Sequence, residues 1–67
     1  MRPTIALDTV QRDGAWHWYG RAADTGKLIL WDATPHVTHL DARQACIDFH
    51  DRLQREQGTT PYEGAFS

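Results

Sequence analysis

Gly14-Ala15-Trp16-His17-Trp18-Tyr19-Gly20-Arg21-Ala22-Ala23-Asp24-Thr25-Gly26-Lys27-Leu28-Ile29-Leu30-Trp31-Asp32 decides the fold, because it holds all three tryptophans of the 67-residue chain. Between its two strand-like runs stands Asp24-Thr25-Gly26, where glycine takes the positive φ that closes a short loop. The stretch therefore reads as a β-hairpin. Upstream, over residues 4–10, Ile5, Leu7 and Thr9 alternate with Ala6, Asp8 and Val10, the period of two expected of a half-buried strand. Asp13-Gly14 then suits a two-residue type I′ turn that sets Arg12 opposite Ala15. Counting back from that pair places Thr9 opposite Trp18, Leu7 opposite Gly20 and Ile5 opposite Ala22.

Asp24-Thr25-Gly26 as a three-residue loop pairs Ala23 with Lys27. One sheet face then buries Ile5, Leu7, Trp16, Trp18, Leu28 and Leu30, and the other shows Val10, His17, Tyr19, Arg21, Lys27, Ile29 and Trp31. A loop with Pro35 follows. Thr38, three residues before Asp41, is the expected N-cap of a helix that runs from Leu40 to about Gln57 and stops at Gly58. Its apolar stripe is Ala42, Ala45, Cys46, Phe49 and Leu53, and the only apolar partner for it is the tryptophan face, with Trp16 and Trp18 beneath Cys46, Phe49 and Leu53. The expected fold is α+β: a three-stranded antiparallel meander followed by one helix on one sheet face (βββα). Residues 1–58 form this single domain, and residues 59–67, with Pro61 and no periodicity, read as a flexible tail.

A chain this short builds one small core, so function belongs on a surface rather than in a deep pocket. The single cysteine, Cys46, excludes an intramolecular disulfide and fits a reducing compartment, which places the protein in the cytoplasm. The amino terminus reaches Asp8 before any apolar run attains signal-peptide or membrane length, so neither export nor a membrane partner is expected. Seven basic and nine acidic side chains leave a net charge of −2, which argues against binding driven by wholesale phosphate neutralisation while leaving a local basic patch open.

Trp16-His17-Trp18 followed by Ala22-Ala23-Asp24-Thr25-Gly26-Lys27-Leu28-Ile29 resembles the YegP-like family of small bacterial proteins. That family has a W-x-W-like strand, an alanine-rich approach to an Asn-Gly-type turn, an apolar strand, and a serine- or threonine-started helix. The resemblance spans residues 16 to 49, with one extra residue in the turn and no second copy; it implies the ββα layout, and the family has no established activity to carry across. Val37-Thr38-His39-Leu40-Asp41-Ala42 is also similar to the threonine-preceded helix of HicB-type antitoxins.

His36-x-x-His39 and Cys46-x-x-x-His50 contain zinc-ligand residue types, but helix rise separates His39 from Cys46 by about 10 Å, so the two pairs do not converge on one ion. Cys46 near the centre of the apolar stripe is a small core residue rather than a nucleophile. Asp41, Asp48, Asp51 and Glu56 alternate with arginines as a solvated helix face, and no glycine-rich phosphate loop is present. The reading is therefore a non-enzymatic protein without metal or cofactor. The outer sheet face stands apart, where Tyr19, Ile29 and Trp31, rimmed by His17, Arg21 and Lys27, form an apolar patch with a basic border. Three uses compete: a homodimer surface, a docking site for another protein, and a stacking platform for single-stranded nucleic acid. The charge balance ranks protein contact first, in the manner of a phage or mobile-element inhibitor or an antitoxin-like partner, with nucleic acid as the alternative.

Overall fold

The computed structural model of the chain describes residues 4–58 and 62–66. Strand β1 (Thr4–Arg12) pairs antiparallel with β2 (Ala15–Ala22), which pairs antiparallel with β3 (Leu28–Trp31). Helix α1 (His39–Gln57) follows, and β4 (Glu63–Phe66) returns to lie parallel to β1. The sheet order is β3-β2-β1-β4. The three strands and the helix follow the sequence reading, but the sheet is four-stranded and mixed, not a three-stranded antiparallel meander. The fourth strand lies in the stretch read as a tail; residues 59–61 and 67 of that stretch lie outside the described residues.

The first turn carries the register. Asp13 and Gly14 sit at φ 52 and 79, both positive as a type I′ turn requires, and the strands leave it with Arg12 opposite Ala15, Thr9 opposite Trp18 and Ile5 opposite Ala22. Side chains alternate from there. Ile5, Leu7 and Trp18 turn inward and are buried, while Asp8, Val10, His17, Tyr19 and Arg21 occupy the opposite row.

The second hairpin departs twice, and the departures cancel. Its loop has four residues rather than three: Ala22 N–H donates to Lys27 O at 2.9 Å, and Gly26 N–H donates to Ala22 O at 2.8 Å. Lys27 and Leu28 are thereby moved one position, so Leu28 pairs with Arg21 on the outer face instead of entering the core. A bulge between Gly20 and Arg21 then absorbs Ile29 as the extra residue, and register returns with Leu30 opposite Gly20 and Trp31 opposite Tyr19.

Helix α1 is held at both ends. Thr38 Oγ accepts the Asp41 N–H at 3.1 Å, and Gly58, in the left-handed conformation, donates its N–H to Gln54 O at 2.9 Å. Ala42 and Cys46 have no exposed surface, so the helix meets the sheet through small side chains and approaches it closely. Trp18 packs on the rings of Phe49 and His50 at 5.2 and 5.9 Å, with Ile5, Leu7, Tyr62, Leu30 and Ala45 completing the core. Trp16, expected beneath the same stripe, is only half-buried: two residues along β2 from Trp18, it meets His39 edge-on at the start of the helix.

Two substitutions test this packing. Trp18→Ala should destabilise the fold by about 3–5 kcal/mol. A Cβ on Gly20 would stand 2.8 Å from Ile5 Cγ2 and 3.2 Å from Leu30 Cδ1. Gly20→Ala should therefore cost about 1–3 kcal/mol in denaturant melts, although alanine suits a strand better than glycine does.

Candidate protein-binding face

On the outer side of the sheet, Val10, Arg12, Tyr19, Arg21, Leu28 and Trp31 line a shallow depression of about 230 Å³. That volume lies below the roughly 300–1,000 Å³ of small-molecule sites, so the depression has room for a side chain rather than a cofactor. Leu28 is 50% exposed, Ile29 46% and Trp31 41%, an unusual concentration of large apolar surface for one short strand.

The polar groups around these apolar side chains are fixed. His17 Nδ1 lies 2.9 Å from Asp32 O, and because a carbonyl only accepts, Nδ1 carries the proton and donates. The imidazole is held by this bond and stacks on Trp31 at 5.1 Å with the planes 24° apart. The Arg12 guanidinium stands over the Trp31 ring at 5.4 Å, and that of Arg21 over the Tyr19 ring at 5.3 Å. Among the described residues neither arginine makes an ion pair. Asp8, across from Tyr19, and Glu63, beside Thr4 on β4, are acidic residues of the same face, and Asp8 Oδ1 accepts the Thr9 N–H at 2.8 Å.

Of the six residues singled out in the sequence, the structure brings His17, Tyr19, Arg21 and Trp31 together. Lys27 closes the loop opposite Ala22, whose partner across the sheet is the buried Ile5, so Lys27 falls in the helix-side row. Ile29 stands at the bulge, and Leu28, which the three-residue loop places in the core, takes the position beside Arg21 expected for Ile29. Arg12 was missed. Its signal was the period of two itself, since Arg12 follows Val10 in the outer row.

The remaining histidines and the cysteine are parted by the fold. His36 pairs through its backbone with Trp16 and donates from Nε2 to Asp32 Oδ2 at 2.8 Å. His39 packs on Trp16, and His50 lies in the core beside Cys46. Among the described residues no three His, Cys, Asp or Glu side chains are placed to hold a metal ion. His50 Nδ1 donates to Cys46 O at 2.7 Å, which leaves Nε2 to accept the Tyr62 hydroxyl proton at 2.6 Å. The Cys46 Sγ is 3.6 Å from Nδ1, but that nitrogen already carries a proton, so no base waits for the thiol. Burial, and then the Asp32 charge, push the thiol up from 9.0 to about 12, far from the thiolate a nucleophile needs. No family model matches the chain, and no curated protein or solved structure matches it significantly.

Burial also raises Tyr62, with Cys46 as a secondary cause. Both groups hold their protons more tightly folded than unfolded, so the folded chain binds more protons above the ordinary thiol range. Stability from this source is complete below pH 9 and is lost as pH climbs towards about 12. Thermal melts should accordingly show a falling alkaline limb above pH 9, less steep in Cys46→Ala. Tyr62→Phe, which strips His50 Nε2 of its donor, should cost about 1–3 kcal/mol at neutral pH.

Proposed function

We propose that this chain is a non-enzymatic protein-binding module that works through the outer face of its sheet. The observation that carries the reading is the exposed Leu28–Trp31 strand beside two arginines and a histidine that are already seated on aromatic rings. Aromatic and arginine side chains are the favoured anchors of protein interfaces, and here the two arginines already lie over aromatic rings. An inhibitor or antitoxin-like partner is the biological form that suits a domain whose core and binding face share a single sheet. Its place of action on this reading is the cytoplasm.

The nucleic-acid alternative has less support from the geometry. Base stacking uses open aromatic faces, whereas Trp31 carries His17 and Arg12, and Tyr19 carries Arg21. The net charge of −2 adds no long-range attraction for phosphates.

Trp31→Ala and Leu28→Ala should abolish self-association in sedimentation experiments, or capture of the partner from the native host, while leaving the melting temperature within a few degrees of the parent. Tight, steeply salt-dependent binding of a short single-stranded oligonucleotide, lost in Trp31→Ala, would instead replace this reading with the nucleic-acid one.

A further inference from the structure

The two guanidiniums on the outer face have a geometry of their own. Each lies over a ring, Arg12 on Trp31 at 5.4 Å and Arg21 on Tyr19 at 5.3 Å, a cation–π contact that leaves the N–H donors of the group to other partners. Those donors meet no carboxylate among the described residues. Both arginines also line the depression formed with Val10, Tyr19, Leu28 and Trp31. An apolar seat is thus bordered by two cations that meet no carboxylate among the described residues.

We infer that the partner of this face is an acidic protein segment that seats an apolar side chain between Tyr19, Leu28 and Trp31 and sets carboxylates against Arg12 and Arg21. The inference rests on the protein-binding reading given above. Charge complementarity selects the occupant. A carboxylate matches the guanidinium fork through two parallel N–H···O bonds, and arginines already stacked on rings lose little freedom in making them. A second copy of this chain is a poor occupant: twofold pairing centred on the depression would bring Arg12 and Arg21 towards their own copies, because the acidic residues of the same face, Asp8 and Glu63, do not line it.

Selection of a random displayed-peptide library on the full chain tests this without a known ligand. Enriched peptides should carry Asp or Glu on both sides of a Leu or aromatic residue. Arg12→Gln and Arg21→Gln should each weaken them about tenfold while melting as the parent does. Peptides that are lost in Trp31→Ala but are neutral or basic, or that bind the two glutamine variants as well as the parent, overturn the acidic-partner inference and leave the protein-binding face standing. Peptides that bind Trp31→Ala undiminished overturn both, as does failure to enrich any peptide while a single-stranded oligonucleotide binds tightly.

Discussion

The alternation of β2, pinned at one end by the Asp13–Gly14 turn, is the constraint on which the rest of this small structure depends. Trp16, Trp18 and Gly20 point one way, and His17, Tyr19 and Arg21 the other. A slip of one residue would bring Arg21 and Tyr19 under the helix and put Trp18 in water, exchanging the largest core side chain for a charge without a partner. Because both φ values at the turn are positive, the pairing that leaves it is a two-residue type I′ hairpin, and the slip is blocked where the strands begin.

Given that register, the inner face collects what holds the domain together. Ala42 and Cys46 let the helix settle on Ile5, Leu7 and Trp18, and Gly20 leaves the space that Ile5 and Leu30 fill. The polar groups that enter this region enter paired: Tyr62 donates to His50, which donates to the Cys46 carbonyl, joining the residue just before β4 to the middle of α1. Among the described residues no buried side-chain nitrogen or oxygen is left without a partner. Cys46 and His50 are in this way part of what fastens the fold.

What the sequence made legible and what it hid differ for physical reasons. The Asp-Gly turn and the Thr38 and Gly58 caps act through their own backbone preferences, so the first hairpin and the helix ends could be read residue by residue. The second loop could not, because a three-residue closure at Ala23 and a four-residue closure at Ala22 both place Gly26 where its φ of 73 is needed. The bulge at Ile29 returns Trp31 to the expected row, beside His17, Tyr19 and Arg21 that the first hairpin places there, while Leu28 and Lys27 stand on the sides opposite to those the three-residue loop predicts. Strand β4 left no trace in the pattern: four residues with a glycine have no period to show, and their pairing with β1 accompanies a distant hydrogen bond from Tyr62 to His50. No helix among the described residues is long and apolar enough to cross a membrane.

One sheet sorts its tryptophans, Trp18 to the core and Trp31 to the exposed outer face. The most direct measurement is the effect of a soluble paramagnetic cosolute on the three indole N–H resonances of the free protein. Trp31 should broaden strongly, Trp16 partly, and Trp18 least, following their exposure in the structure. Broadening of Trp18 with Trp31 protected would mean that β2 faces the other way, and both the core and the proposed binding face would be contradicted together.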